Sequence, residues 1–225
     1  MVKIFYSFCL LFCSSSVLAQ PDVQYPPAIP AIESSQQAMR EELLAIPTVD
    51  RTEQQWRQLS LVSITLLGTT DSPTMAEMES TINQARQKLP EDALLIAIQG
   101  SLFCIQAGQE NIDSMKAMSL VNKGFRQLDR AVMMEPYDIG PRLQRAITAS
   151  KTPTFLGKRS LAEQDLNYLL TVIPVSKKTS ELRAMLLFDL AEIVAEKDKA
   201  QAIKLWQQAA SLDAGVWSER AQKQL

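Results

Sequence analysis

Catalysis by protein side chains leans on histidine, cysteine and paired carboxylates, and the first of these is absent from all 225 residues. Without imidazole there is no Ser-His-Asp or Cys-His nucleophile system, no HExxH zinc helix and no His-ligated metal centre. Cysteine occurs three times, as Cys9, Cys13 and Cys104. Cys104 lies in the apolar run LLIAIQGSLFCI, and no Lys or Arg stands within ten residues of it on either side. A reactive thiolate needs a cationic, accessible neighbourhood. Cys104 therefore reads as a small buried apolar residue.

Carboxylates pair at Glu41/Glu42, Glu77/Glu79 and Glu91/Asp92. Each pair falls in a hydrophilic stretch or where a helix would start, a place that favours acids for their interaction with the helix dipole. A general acid needs a carboxyl held in an apolar pocket, and nothing around these pairs implies one. They read as solvated faces. Basic residues cluster in 138–183, where Arg142, Arg145, Lys151, Lys158, Arg159, Lys177, Lys178 and Arg183 face Asp138, Glu163, Asp165 and Glu181. The segment is +4 in a chain of net charge −2. It reads either as an ordinary solvated patch or as a docking face for an acidic partner or anionic lipid head groups. It lacks the interleaved aromatics of a nucleic-acid surface. With only seven glycines there is no phosphate-cradling loop or dinucleotide fingerprint. The sequence implies neither a metal nor a cofactor, and the expected function is non-catalytic.

The elements that carry these residues follow from composition and from proline. Hydrophobic residues make up 46% of the chain, enough for a packed core. Residues 1–19 have the form of a secretory signal: Lys3, the apolar run IFYSFCLLF, and a small residue, Ala19, before Gln20. Cleavage after Ala19 is expected to export the protein to the periplasm or beyond and to leave Cys104 as the sole cysteine. No later stretch has the roughly 20 apolar residues that a membrane span needs. Residues 20–33 are a proline-rich leader. From Ser34 onward good helix formers dominate, and Pro47, Pro73, Pro90, Pro136, Pro153 and Pro174 separate helical stretches. Helices are expected near 35–45, 52–67, 74–89, 92–106, 110–135, 139–150, 160–173, 179–196, 199–212 and 216–224. Thr52 and Ser160 are candidate caps, with Glu163 at capping-box spacing from Ser160. The domain at 34–225 reads as all-α.

A short pattern recurs at the ends of these helices. Ile82, Ala85 and Pro90 are spaced by three and five residues; Leu128, Ala131 and Pro136 repeat the spacing, as do Leu166, Leu169 and Pro174. Trp206, Ala209 and Ala214 form a fourth copy without the proline. A small residue lets helices approach, a larger one fills the groove, and proline stops the helix. Four antiparallel helix pairs result.

On these residues the chain resembles the tetratricopeptide-repeat family. The unit LLFDLAEIVAEKDKAQAIKLWQQAASLD places Ala202, Trp206 and Ala209 at the family's small-aromatic-small positions. A second unit offers Gly100, Phe103, Leu128, Ala131 and Pro136. The repeats are degenerate, with triplets 46, 38 and 40 residues apart rather than at the family's regular interval. The resemblance implies a superhelical array whose concave face binds a protein or peptide. Matching Gly100 to the family's glycine puts Leu94, Ala97, Ser101 and Cys104 on that face, with Ala184, Leu187, Ala191 and Val194 from the last unit. The expected function is that of an exported scaffold or adaptor. A structural subunit of a cell-envelope assembly is the alternative, and a helical glycan-active enzyme a remote third. The groove is expected either to stand open or to be filled by the chain's own residues 25–32 or the helix at 35–45.

Overall fold

A computed structural model describes residues 24–30, 32–69, 72–110 and 112–225. The expected signal sequence at 1–19 lies outside the described residues, as do residues 20–23 and 31 of the leader. Among the described residues ten α-helices follow one another: α1 Glu33–Ala45, α2 Glu53–Thr65, α3 Met75–Lys88, α4 Ala93–Ala107, α5 Ser114–Met134, α6 Ile139–Lys151, α7 Arg159–Val172, α8 Ser180–Val194, α9 Lys199–Ser211 and α10 Gly215–Gln222. A single 3₁₀ turn, Thr154–Leu156, sits between α6 and α7. Among the described residues there is no strand, only one isolated bridge from Gln24 to Asp138. No helix among them is long and apolar enough to cross a membrane.

Local chemistry explains most of the boundaries. Thr52 and Gln55 form a reciprocal capping box at the start of α2, and Thr74 and Glu77 do the same for α3. The Thr74 backbone N–H donates to the Glu77 carboxylate and holds its pKa below the usual value. Asp92, Asp113, Asp138 and Asp198 each accept from a backbone N–H at the start of a helix. The box expected from Ser160 and Glu163 does not form. Arg159 is already helical, so Ser160 lies inside the first turn, and Glu163 instead accepts from Lys197 at 2.6 Å.

Each odd-numbered helix from α3 to α9 packs against both even-numbered neighbours, and α2, α4, α6, α8 and α10 touch one another in sequence. The even helices thus form a continuous row. Two apolar clusters hold the row together, one built from α1–α4 and the other from α4–α10. Helix α4 belongs to both. Leu94, Leu95, Ile98 and Leu102 face the first cluster, while Ile96 and Ala97 face the second. This double burial is the reason ALLIAI carries no polar stripe.

The first two positions of the first three triplets are core, whereas the closing Pro90, Pro136 and Pro174 are exposed. Ile82, Ala85, Leu128, Ala131, Leu166, Leu169 and Ala209 are all fully buried. Trp206 departs from the pattern. It is half-buried with its indole N–H unpartnered, and Leu205 is the more buried of the two.

The closest crossing joins α4 to α5. A Cβ on Gly100 would lie 2.7 Å from the Gly124 carbonyl oxygen, and one on Gly124 would lie 2.6 Å from that of Gly100 and 2.5 Å from Cys104 Sγ. Only paired glycines permit this approach.

Candidate functional site

The row of even helices is not filled to its edge. Around their C-terminal halves lies a cavity of about 1000 Å³, at the upper end of small-molecule sites. Its walls come from the ends of α2 (Ile64, Thr65) and α4 (Ser101, Cys104, Ile105), from α6 (Gln144, Ile147, Thr148, Lys151) and from the first half of α5 (Ala117, Met118, Val121). Helix α8 adds Met185 and Asp189, and α10 adds Trp217 and Arg220. Phe155 and Leu156, on the 3₁₀ turn, form part of the wall where the chain passes from α6 to α7. The turn ends at Gly157, whose φ of 68° is left-handed and suits glycine.

Several polar groups in the cavity pair with one another. Ser101 Oγ lies 2.7 Å from Thr148 Oγ1 and donates to Gln144 Oε1 at 3.3 Å. Lys151 Nζ donates to Asp189 Oδ1 at 2.8 Å, and that carboxylate is 2% exposed. Such a partner offsets part of the cost of burying a carboxylate. The remaining cation, Arg220, is exposed and stacks over the Trp217 ring with 4.6 Å to the centroid. Trp217 in turn packs against Phe188 at 5.7 Å between ring centres. At the rim, Phe155 is 83% exposed and Met118 44%.

The eight residues expected on the concave face divide sharply. Ser101 and Cys104 line the cavity. Leu94 lines a different, smaller hollow, while Ala97, Ala184, Leu187, Ala191 and Val194 are buried core. On α8 the cavity is reached through Met185 and Asp189, not through the 184/187/191/194 face. AMLLFDLAEIVA is apolar around most of its circumference, and its two acids part company, Asp189 to Lys151 and Glu192 to the exposed surface, so its rotation is not plain from its sequence. The α6 residues carry a legible signal: Gln144, Thr148 and Lys151 recur at helical spacing among alanines.

Cys104 is half-buried and lines the cavity. Burial pushes its thiol up to about 11, against a smaller opposing effect of Lys158. The basic segment is likewise mostly internal. Arg142 and Arg145 both donate to Asp165, which is fully buried, and Arg145 also reaches Asp129. Arg183 donates to the carbonyls of Leu170 and Ile173 at the end of α7. Arg159 bonds the Ser150 carbonyl and pairs with Glu196, and Lys158 lies over the Phe125 ring. The +4 segment is therefore spent largely on joining α5–α8, and it is not a single open basic face. The carboxylate pairs have similar duties: Asp92 caps α4 and pairs with Arg57, and Glu91 pairs with Arg130.

The described part of the leader lies elsewhere. Ile139 N–H donates to the Gln24 carbonyl, Gln58 to Ala28 and Gln36 to Pro30. Tyr25, Pro26 and Pro27 border a hollow of about 190 Å³ with Arg57, Asp92 and Asp138, beside the start of α4 and α6. Burial raises the pKa of Asp138 there, partly offset by the N–H of Gly140. Neither residues 24–30 nor α1 contribute to the large cavity. Among the described residues no cluster of His, Cys, Asp and Glu is suited to a metal. No known protein family, curated protein or solved structure matches this chain.

Proposed function

We propose that this chain is an exported, tetratricopeptide-like helical-repeat protein that binds a segment of another protein in the cavity along its even-numbered helices. One observation carries the reading: a large, mainly apolar hollow is bordered by every even helix from α2 to α10 and is free of the chain's own described leader. Side-to-side stacking of helix pairs supports a four-pair array, with α2/α3, α4/α5, α6/α7 and α8/α9 as units and α10 as a terminal cap. In such an array the first helix of each pair lines the inner surface, which agrees with the even helices bordering the cavity. Fold analogy supplies the binding role, and the exposed Phe155 and Met118 supply its chemistry.

Export rests on the form of residues 1–19. The non-catalytic reading rests on the absence of histidine from the sequence and on the internal pairing of the cavity's hydroxyl, amide and Lys151–Asp189 groups.

A photo-crosslinking amino acid placed at Met118 or Phe155 in intact cells tests this. Met133, 80% exposed on α5 and outside the cavity, is the control. Discrete protein adducts from the two rim positions and none from Met133 are expected. Equal labelling at all three positions, or none at the rim, would remove the cavity as the binding site.

A further inference from the structure

Resting on that reading of the cavity, we infer that its occupant is an amphipathic α-helix carrying an acidic residue that meets Arg220. The first part follows from hydrogen-bond accounting. An extended peptide brings backbone N–H and C=O groups that must find partners when buried. This cavity offers few, because most of its wall is helix side with paired backbone, the N–H groups of Leu67, Gly108, Thr152 and Leu156 outside the helices donate within the chain, and Ser101 Oγ meets both Thr148 Oγ1 and Gln144 Oε1. Lys151 and Asp189 are likewise joined. A helix arrives with its backbone already satisfied and presents only side chains. Its apolar stripe suits walls made of Ile105, Ile147, Met118, Val121 and Leu156.

Size agrees. A helix is about 10–12 Å across, so roughly two turns fill a hollow of this volume. The 83% exposed ring of Phe155 stands at the edge, where a ligand confined to the interior would leave it in water. A helix longer than those two turns covers it.

The charge follows from which ions are spoken for. Three charged residues line the cavity, and Lys151 and Asp189 neutralise each other at 2.8 Å. Among the described residues no carboxylate pairs with Arg220, whose guanidinium is held in place over Trp217. A stacked, pre-positioned guanidinium is well suited to a carboxylate at the mouth of an apolar site. A basic occupant would meet the same cation with repulsion.

The test uses two fluorescein-labelled synthetic amphipathic helices with the same Leu/Ala face, one flanked by glutamates and the other by lysines. Their binding to the exported chain is followed by anisotropy at low ionic strength. The acidic helix is expected to bind about three- to tenfold more tightly, as one exposed charge contact changed from attraction to repulsion would give. Arg220→Glu, at an exposed position, should reverse that order while leaving the circular dichroism unchanged. Phe155→Asp should weaken both helices. If the two peptides bind native protein equally, or Arg220→Glu leaves the order intact, the acidic specificity is overturned and the cavity reading survives. If neither peptide binds while rim crosslinks to protein persist in cells, the helical occupant is wrong but the site stands. If neither peptide binds, no protein crosslinks and dodecanoate displaces a solvatochromic dye from the cavity, both inferences fall.

Discussion

Cys104 shows how packing favours the neutral form of a thiol. Its sulfur sits in the angle between α4 and α5, so close to Gly124 that a Cβ there would collide with it at 2.5 Å. Burial stabilises the neutral thiol and lifts its pKa to about 11 from 9.0. The unfolded chain releases this proton at lower pH than the folded chain does. As pH rises from 9 to 11 the native state therefore binds more protons than the unfolded state, and stability falls. Urea unfolding across that range should show the native chain losing about 2 kcal/mol more than Cys104→Ala, whose thiol term is absent. Parallel curves for the two proteins would mean the thiol is freely solvated. Asp165 is the opposite case at the same scale. It is a fully buried carboxylate that accepts from two guanidiniums, and nothing in AEQDLNYLL distinguishes it from a surface aspartate.

Among the elements, α4 and α5 form the most intimate pair, and the glycines make it so. Gly100 and Gly124 face each other across the crossing with no room for a methyl group on either. Gly124→Ala should therefore destabilise the protein by about 1–3 kcal/mol, because the cost of forcing the helices apart exceeds the roughly 1 kcal/mol that alanine adds to helix propensity. Gly108 provides the control. Its φ of −88° suits any residue, and a Cβ there meets only the Ile105 carbonyl at an ordinary 3.5 Å. Gly108→Ala should lie within about 0.5 kcal/mol of the native chain in thermal or urea unfolding. Equal effects at the two positions would show that the close crossing is not a stability determinant. The residue types at Gly100 and Leu128 were enough to suggest that helices approach there. That the partner glycine is Gly124 was not legible, since nothing in KGFRQL says which way the glycine points.

At the scale of the whole molecule, one helix bridges two cores. The cluster of α1–α4 and the cluster of α4–α10 share α4, whose opposite faces serve each of them. Terminal elements have neighbours on fewer sides, so opening should begin at the ends. Native-state hydrogen exchange is expected to be slowest in α4 and α5 and to quicken outward through α2 and α1 on one side and α9 and α10 on the other. Uniform protection across all ten helices would mark a single cooperative bundle instead. The outward gradient also bears on the cavity, because Trp217 and Arg220 come from the terminal α10. The part of the site with the free cation is thus carried by an element at the less protected end of the stack.

Ten helices were readable in advance because proline cannot continue a helix and Thr, Asp and Gln satisfy its first N–H groups, effects that act within a few residues. The buried triplets were readable for the same reason: periodicity is local. The rotation of α8 was not, since apolar residues cover most of its circumference and the face buried is whichever its neighbours offer, and those neighbours come from α6, α7, α9 and α10. For that reason Met185 and Asp189 reach the cavity while Ala184, Leu187, Ala191 and Val194 do not. The fate of the basic segment was likewise settled by packing, because an arginine's charge is local but its partner is not: Arg142 and Arg145 meet Asp165 only once α6 and α7 lie side by side. Sequence alone determined where the chain is helical; the hollow along the even helices, and the Arg220 guanidinium that meets no carboxylate among the described residues, exist only because six helices spread along the chain converge without filling the space between them.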